Sequence, residues 1–371
     1  MTENTWFHIS NLNQIDSPAL LVYPDRVKAN IQTAINMIGD VNRLRPHVKT
    51  HKCAEVARLM MDAGITKFKC ATIAEAEMLG MQEAKDVLLA YQPVGPKLQR
   101  FIALIKKYPA TRFSCLTDNM VAAIAQSKAF TEAGLQVPVY IDLNIGMNRT
   151  GIATGDEALE LYNYCAAAAG INIKGLHAYD GHIRDIDFAA KKNNCDDAFA
   201  AVESFSNKIE NSGLPKPIII AGGSPTFSVH CKRENIECSP GTFVYWDRGY
   251  SVLCPEQEFI PAAVLLTRVV SLPGEGKVCT DLGHKSVAAE NEITKRVFFP
   301  EFEFLQATAQ SEEHLVLENS SDTKFTSGDI LYGIPWHICP TVALYDSIKI
   351  IENGQCIGEW KNIARDRKIT I

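Results

Sequence analysis

The sequence predicts an α/β protein: a (β/α)8 barrel of the TIM type, followed by a mostly antiparallel β domain. Short, almost continuously apolar runs alternate with amphipathic helical patterns over the first 250 residues, which is typical of a parallel sheet covered by helices. The number of such units is close to the roughly eight of a closed barrel. After residue 250 the helical patterns nearly vanish, and strand-like runs such as PAAVLLTRVVSL alternate with Gly, Pro and charged turns.

The predicted strand–helix units follow one another along the chain. RLRPHVK precedes the helical run AEVARLMMDAGI, FKCAT precedes AEAEMLGMQEA, DVLLAYQ precedes KLQRFIALIKKY, and RFSCLT precedes NMVAAIAQSKAFTEAGL. PVYIDLNIG precedes DEALELYNYCAAAAG, IKGLHAYDGH precedes a helical stretch that ends near Lys208, and PIIIAGGSP comes next. We therefore predict the barrel at residues 17–250 and the β domain at residues 251–371, to which residues 1–16 could add a strand. An open doubly wound sheet is the alternative, but no GxGxxG motif follows an early strand.

Composition excludes several classes of protein. The 371 residues carry a formal net charge of -6, whereas a broad nucleic-acid surface needs excess positive charge. The N-terminus MTENTWFHIS lacks the features of a signal peptide, and no apolar run reaches the roughly 20 residues of a membrane span. The 11 cysteines are scattered without a CxxC pair. We therefore expect a cytoplasmic protein that binds neither nucleic acid nor membrane and whose cysteines are mostly buried thiols.

The strand ends of the predicted barrel identify Lys49 as a candidate for covalent chemistry. Active sites of such barrels lie at the carboxyl ends of the strands, and Lys49 ends the first run, RLRPHVK. Beside Arg45 and His47, and partly buried, its amine is expected to be held neutral. A neutral amine can form a Schiff base with a carbonyl. Lys52 is expected to be peripheral.

Later strand ends predict further polar groups at the same edge. Arg149 lies in NIGMNRTG, where a guanidinium can hold a carboxylate or a cofactor oxygen or form a structural ion pair. His177, Tyr179 and His182 lie in HAYDGH. The loops AGGSPTF and SPGTF bring backbone N–H groups and hydroxyls that suit a phosphate. Their candidate residues are Gly222, Gly223, Ser224, Thr226, Gly241 and Thr242.

The segment PWHICPT in the second domain predicts a metal site. His337 and Cys339 are two residues apart, and in an extended segment their side chains would point the same way. An imidazole and a thiolate together suit zinc. Because only two ligands are visible, the remaining positions would be taken by water or substrate.

Taken together, these motifs resemble the D-threonine aldolase and D-serine dehydratase family. RPHVKTHK, DLNIGMNRTG, AGGSPTF, PGTFVYWD and PWHICP carry the resemblance, which extends from about Ser17 to the C-terminus. Members of this family are fold-type III pyridoxal phosphate (PLP) enzymes, related to alanine racemase in the barrel. The resemblance thus implies PLP as the cofactor and a divalent metal, with zinc preferred and manganese as the alternative.

The resemblance also implies roles for individual residues. Lys49 resembles the Schiff-base lysine, and His182 resembles a histidine on the catalytic side of the aldolases. Tyr179 would approach the pyridine nitrogen or the ring face, and Arg149 the phenolic oxygen or the substrate. The phosphate would bind to Gly223, Ser224, Thr226, Gly241 and Thr242, and the metal to His337 and Cys339.

One position departs from the family's racemase branch. Racemases place an arginine before the Pro-Gly of the last strand, to bind the pyridine nitrogen, whereas this chain has Ser239 there. The departure weakens an amino-acid racemase as an interpretation and leaves the partner of the pyridine nitrogen open.

The resemblance implies a PLP- and metal-dependent lyase that acts on D-3-hydroxy amino acids. His-x-Cys resembles the dehydratases and His-x-Asp the aldolases, so we favour a D-serine dehydratase type of reaction, an ammonia-lyase. A D-threonine aldolase type of reaction, which yields glycine and an aldehyde, is the main alternative. Racemization, PLP binding without turnover and a barrel enzyme without PLP are the others. The resemblance further implies a homodimer and a small D-amino acid as substrate.

Overall fold

A computed structural model describes residues 6–371 of the chain. The chain forms two compact units, one of which contains most of the helices and the other most of the antiparallel strands. Within the described residues, unit 1 comprises residues 6–31, Thr50–Val56 and Thr242–Ile363. Unit 2 comprises Gln32–Lys49, Ala57–Gly241 and Ala364–Ile371.

Unit 2 contains a parallel sheet of seven strands that pair in the order of the chain. The strands are β2 (Lys67–Cys70), β3 (Asp86–Leu89), β4 (Arg112–Thr117), β5 (Val137–Leu143), β6 (Ile171–Ala178), β7 (Ile218–Ala221) and β8 (Ile236–Cys238). The segment 44–48 lies between the two outer strands, with parallel bridges from Leu44 to Cys238 and from His47 to Lys69. It takes the place of an eighth strand, and the predicted barrel is confirmed.

Helices alternate with the barrel strands along the chain, as the apolar periodicity predicts. They are α1 (Pro24–Ile38), α2 (Ala54–Asp62), α3 (Ile73–Met81), α4 (Pro96–Lys107), α5 (Met120–Glu132), α6 (Asp156–Ala167), α7 (Phe188–Asn211) and α8 (Phe227–His230). Side chains cap several of them: Thr72, Asn119 and Asp187 each accept a hydrogen bond from a backbone N–H in the first turn. These caps fix where each helix begins after its strand, and so fix the lengths of the loops at the site.

An apolar layer fills the middle of the barrel, and an ion-pair network lies at the amino ends of the strands. Leu88, Leu116, Tyr140 and Ile220 form the apolar layer. In the network, the guanidinium of Arg45 lies 2.6 Å from Asp86 and 2.7 Å from Glu237, while Lys67 and Arg112 contact the same two carboxylates. Arg45, expected to be a cationic neighbour of Lys49, thus pairs its guanidinium with two carboxylates.

Unit 1 contains a nine-stranded, mostly antiparallel sheet, with the central order β12-β13-β10-β9-β1-β15-β16. Its strands are β1 (Ala19–Val22), β9 (Ala263–Gly274), β10 (Lys277–Thr280), β11 (Val297–Phe298), β12 (Leu305–Gln310), β13 (Leu315–Asn319), β14 (Ile330–Pro335), β15 (Ser347–Glu352) and β16 (Gln355–Lys361). β14 pairs with β9 and with β11. The short helices α9 (Arg248–Leu253) and α10 (Ile338–Val342) belong to the same unit.

The beginning of the chain is associated with this sheet. β1 pairs with β9 and β15, although the predicted boundary assigns residues 17–22 to the barrel. Of residues 1–16, residues 1–5 lie outside the described part of the chain. Within the rest, Phe7, Ile9 and Ile15 pack in the core of unit 1. The predicted boundary at residue 250 stays a prediction.

Two simpler expectations concern the helices and the cysteines. Within residues 6–371, no helix is both long and apolar enough to cross a membrane. The cysteines of the described part are all free thiols, and most of them are buried, as the scattered pattern predicts. A buried free thiol packs in a core as a small hydrophobic side chain.

Candidate active site

Lys49 lies at the edge of a cavity of about 580 Å³ in unit 2. It follows the bridging segment 44–48 in a turn and is half-buried, and its backbone N–H donates to Nδ1 of His47 at 3.3 Å. The cavity is also lined by Lys69, Asp142, Arg149, His177 and Tyr179. These residues come from the carboxyl ends of β2, β5 and β6 and the loops beyond them, where a barrel active site is expected.

Three basic side chains lie near the ring of Tyr179. The guanidinium carbon of Arg149 lies 5.0 Å from the ring centroid. Nζ of Lys49 lies 6.0 Å from it, and Nζ of Lys69 lies 5.8 Å from it, which are cation–π distances. The structure thus brings Lys49, Arg149 and Tyr179 together, as the sequence predicts. Such a group of cations suits an anionic ligand.

A buried chain of hydrogen bonds runs across the cavity floor from Asp142 through His177 to Lys69. Oδ1 of Asp142 lies 2.7 Å from Nδ1 of His177, and Nε2 of His177 lies 3.3 Å from Nζ of Lys69. Burial opposes ionization of Asp142, but its hydrogen bond with His177 holds the carboxyl pKa below the usual value. Burial, and then the charge of Lys69, lower the pKa of His177. A neutral His177 that donates from Nδ1 to Asp142 turns the lone pair of Nε2 towards Lys69.

Sequence reasoning missed Lys69, although the signal was present. Lys69 is the third residue of FKCAT, and it comes from the carboxyl end of β2. The rule that selected Lys49 applies equally to this strand. Side-chain alternation places Phe68 and Cys70 on the opposite face of β2 from Lys69. Lys69 is therefore the polar residue of this strand that points into the barrel.

The two glycine loops of unit 2 are held by specific contacts. Gly222 has φ +71, and a Cβ there would lie 2.7 Å from Cδ2 of His230, so a side chain is excluded on both counts. A Cβ on Gly223 would lie 2.8 Å from the ring of Tyr179. Oγ of Ser224 accepts a hydrogen bond from the N–H of Gly241 at 3.1 Å, which joins the loops. Thr242, the next residue, starts a 3-10 helix in unit 1.

Behind the first glycine loop lies a fully buried polar cluster. The hydroxyl of Thr226 donates to Asp180 at 2.7 Å, and the other carboxylate oxygen lies 2.8 Å from Nε2 of His230. Sγ of Cys195 lies 3.3 Å from the same nitrogen. Asp180, Cys195 and His230 are close enough together to hold a metal ion. Burial raises the pKa of the Cys195 thiol to about 12, however, and the hydrogen bonds account for the cluster as a support for the loop.

Ser239 is an unpartnered polar group. Its side chain is 3% exposed, and within residues 6–371 its Oγ has no hydrogen-bond partner. A buried hydroxyl without a partner costs about 1–3 kcal/mol, which a ligand with a suitable polar atom would offset.

The predicted metal pair lies in unit 1, beside an acidic residue that the sequence analysis missed. Nδ1 of His337 contacts a carboxylate oxygen of Glu290, and Sγ of Cys339 lies 3.2 Å from Oγ1 of Thr50 and 3.7 Å from Oγ1 of Thr242. Burial alone would lower the pKa of His337, but Cys339 and then Glu290 raise it to about 9. His337 thus contacts one oxygen donor, Glu290, and one sulfur donor, Cys339.

The local structure of this pair differs from the expectation. Cys339 lies in α10, and His337 caps that helix, so the segment is not extended. The helix begins here because Asp247, distant in sequence, accepts a hydrogen bond from the N–H of Ile338 at 2.9 Å. The two side chains nevertheless contact each other through the hydrogen bond that raises the pKa of His337.

His182 is the predicted residue that the structure separates from Lys49. It is exposed and lines a shallow depression with Ile183, Asp185 and Asn194 rather than the cavity of Lys49. A Cβ on Gly146 would lie 2.6 Å from its Nε2, so His182 packs against the loop that carries Arg149.

Comparison with known proteins agrees with this arrangement. The family model described as "Alanine racemase, N-terminal domain" matches residues 22–249, and the one described as "Putative serine dehydratase domain" matches residues 262–351. A D-threonine aldolase from Arthrobacter sp is 26% identical over 95% of this chain and 94% of its own length. A D-threo-3-hydroxyaspartate dehydratase from Delftia sp. (strain HT23) is 23% identical over 94% and 97%.

Solved structures extend the likeness to the fold. The crystal structure of a D-threonine aldolase from Filomicrobium marinum has a TM-score of 0.87 at 26% identity and covers 98% of this chain and 99% of its own. Structures of a D-threo-3-hydroxyaspartate dehydratase, in which a cysteine or a histidine is replaced by alanine, have TM-scores of 0.83 and 0.80 at 22% identity. They cover 95% of this chain and 99% and 96% of theirs. The predicted family is confirmed: the chain belongs to the fold-type III PLP-dependent lyases of the D-threonine aldolase and D-serine dehydratase family.

Proposed function

We propose that this protein is a PLP- and divalent-metal-dependent lyase that converts a D-3-hydroxy amino acid into a keto acid and ammonia. One observation carries the proposal: an amine, Lys49, shares a cavity with Arg149 and the ring of Tyr179 at the carboxyl ends of the barrel strands. This is where a barrel enzyme would hold an anionic cofactor.

The residues of unit 2 fit PLP. The unpartnered hydroxyl of Ser239 is a buried group that can donate a hydrogen bond to a pyridine nitrogen. Gly223 admits the close approach of Tyr179, and the bond between Ser224 and Gly241 joins the two loops that we assign to the phosphate. We assign Thr242 to the same role, while Thr226 supports the loop through its bond to Asp180.

The side chains around Lys49 then have separate tasks. PLP, when bound, supplies an electron sink for the bond that breaks at Cα. Nζ of Lys49 accepts the Cα proton, and Arg149 neutralizes negative charge above Tyr179. We keep His182 as a candidate only for the outer wall of the site, next to the loop of Arg149.

The residues of unit 1 fit a divalent metal. His337, Cys339 and Glu290 offer one nitrogen, one sulfur and one oxygen donor, a set that suits zinc better than manganese. The metal, when bound, supplies a Lewis acid for a hydroxyl oxygen. In the dehydratase variants named above, the substituted histidine and cysteine are two positions apart, and one of those structures is metal-free. His337 and Cys339 have the same spacing.

The His-x-Cys pair is the reason that we favour the dehydratase outcome. The Cα–H bond breaks, the β-hydroxyl leaves as water, and hydrolysis of the resulting enamine gives the keto acid and ammonia. An aldolase outcome is the second candidate, because a D-threonine aldolase shares 26% identity over nearly the whole chain. There the hydroxyl loses its proton, the Cα–Cβ bond breaks, and glycine and an aldehyde form.

Product analysis separates the two. The purified protein, loaded with PLP and zinc, is incubated with D-serine, D-threonine or D-threo-3-hydroxyaspartate, and keto acid, ammonia, glycine and aldehyde are measured. We expect keto acid and ammonia in equal amounts, and loss of activity with chelator or in His337→Ala. Exposed His314→Ala serves as the matched control. Glycine and aldehyde without keto acid would establish the aldolase instead, and exchange at Cα with the hydroxyl retained would establish a racemase.

We also propose that the active form is a homodimer located in the cytoplasm. The support is the family's common behaviour, so light scattering on the purified protein is the direct test. A monomer with full activity would contradict the dimer.

A further inference from the structure

Lys69 is a second amine in the cavity of Lys49 that the proposed function leaves without a task. Its side chain is 2% exposed, yet its Nζ is as near to the ring of Tyr179 as that of Lys49, 5.8 Å against 6.0 Å. Nζ of Lys69 contacts His177, which in turn contacts Asp142. Within residues 6–371, no carboxylate forms an ion pair with Lys69 itself. A buried lysine without an ion pair destabilizes the folded protein. A functional role would explain its presence in this position.

The groups that face Lys69 come from several elements and have opposing effects. Burial is the largest, and with the positive charges of Lys49 and Arg45 it disfavours the ammonium, whereas Asp142 and Asp180 favour it. His177, from β6, is neutral and can accept a hydrogen bond through Nε2. Together these groups lower the pKa of Lys69 to about 7. Near neutral pH, the amine can thus both give and take a proton.

We propose that Lys69 is a second acid–base residue of this site, positioned by the Asp142–His177 pair and working beside Lys49. The inference rests on the proposed function, because both lyase outcomes move two protons. Dehydration takes one from Cα and gives one to the departing hydroxyl, whereas aldol cleavage takes one from the hydroxyl and gives one to Cα. One of the two acid–base groups must therefore start neutral while the other starts protonated. Two amines in one cavity meet that need. In dehydration Lys49 takes the Cα proton and Lys69 gives its proton to the departing hydroxyl, so Lys49 ends protonated and Lys69 ends neutral, and proton exchange with water restores both.

A fixed positive charge that binds a substrate carboxylate would be a different role for the same residue. Lys69→Arg keeps the charge but cannot release a proton near neutral pH, whereas Lys69→Met removes both. The two variants therefore separate proton transfer from charge.

The kinetic test compares both variants with the wild type and with Lys106→Met, an exposed control. We expect kcat to fall about 10²–10⁴-fold in both Lys69 variants, which is the usual contribution of a general acid or base. We also expect PLP absorbance, and borohydride labelling of Lys49, to stay unchanged. The limb of the kcat/KM profile near pH 7 should disappear in Lys69→Arg. If Lys69→Arg keeps kcat within threefold of the wild type, the proposal is wrong and the fixed-charge role is correct.

An independent readout needs no turnover. In protein without PLP, with lysines labelled with ¹³C at Cε, NMR should show a resonance that titrates near pH 7 and is absent in Lys69→Arg. A Lys69 resonance that stays fully charged up to pH 9 would overturn the proposal. A wild type that neither turns over nor labels at Lys49, but shows this titration, would instead contradict the proposed function and leave the acid–base character of Lys69 established.

Discussion

The two ends of the barrel hold similar numbers of charged side chains in opposite arrangements. At the amino end, Arg45, Lys67 and Arg112 each contact Asp86 or Glu237. At the carboxyl end, within residues 6–371, neither Lys49 nor Arg149 forms an ion pair. Two carboxylates line the cavity there: Asp142 is engaged with His177, and Asp118 accepts a hydrogen bond from the N–H of Gly151.

The difference separates stability from function. Compensated charges at the amino end hold β3 and β8 to the segment 44–48 and have no lone charge to offer a ligand. Uncompensated cations at the carboxyl end cost stability until an anion binds. The comparison therefore predicts that substitutions at the amino end lower the free energy of unfolding, whereas substitutions at the carboxyl end impair the chemistry without lowering it.

The largest effect is expected at the carboxyl end. Lys49→Ala should remove the visible absorbance of the PLP-loaded protein and reduce kcat more than about 10³-fold, because the amine that binds the cofactor is missing. The free energy of unfolding without PLP should change little, since the side chain is half-buried and without an ion pair. Absorbance spectra, product assays and urea unfolding check this. A variant that keeps the absorbance would contradict the assignment of Lys49 as the amine that binds the cofactor.

The next effect is expected at the amino end. Glu237→Gln leaves the buried guanidinium of Arg45 with one carboxylate, and breaking a buried pair costs about 3–5 kcal/mol of unfolding free energy. Urea unfolding of the variant measures the loss, with exposed Glu234→Gln as the matched control. PLP absorbance at low temperature should be normal. A loss of less than 1 kcal/mol would show that this network does not stabilize the barrel.

The pH dependence of stability gives a smaller effect at the carboxyl end. The pKa of Lys69 is about 7 in the folded protein, below the ordinary 10.5. Between these values the unfolded chain binds the proton and the folded protein does not, so this residue makes stability rise with pH, by up to about 1.4 kcal/mol per unit. Below pH 7 both states are protonated, and the full cost remains.

Lys69→Met should therefore be more stable than the wild type at pH 6, and this advantage should shrink by roughly 2–3 kcal/mol by pH 9. Urea unfolding without PLP at several pH values measures the difference, with Lys106→Met as the control. A difference that does not change with pH would contradict the assignment.

The smallest effect is expected from the outer part of the amino-end network. Arg112 is 64% exposed and pairs with Asp86, which keeps Arg45 as a partner. Arg112→Ala should cost no more than about 1 kcal/mol, and less at high salt. Urea unfolding at low and high ionic strength checks both parts. A loss of unfolding free energy as large as that of Glu237→Gln would mean that the exposed pair of this network stabilizes the protein as much as the buried pair does.

Local patterns made the barrel and much of the site predictable. Strand and helix periodicities are properties of neighbouring residues, and the strand-end rule needs only the order of the units. Lys49, Arg149 and Tyr179 were found in this way. Lys69 was available to the same rule and was overlooked.

The features that sequence reasoning could not reach depend on long-range contacts. Arg45 pairs with Asp86 and Glu237, which are 41 and 192 residues away, so its charge could not be assigned from its neighbours His47 and Lys49. The helix at Cys339 depends on Asp247, 91 residues earlier. The placement of His182 follows from its packing against Gly146.

The most direct test of the central claim is reduction with borohydride of the wild-type protein loaded with PLP, followed by peptide mapping. We predict one reduced pyridoxyl group per chain, on Lys49, with Lys69 and the other lysines unmodified. A group on Lys69 instead, or none on any lysine, would contradict the account.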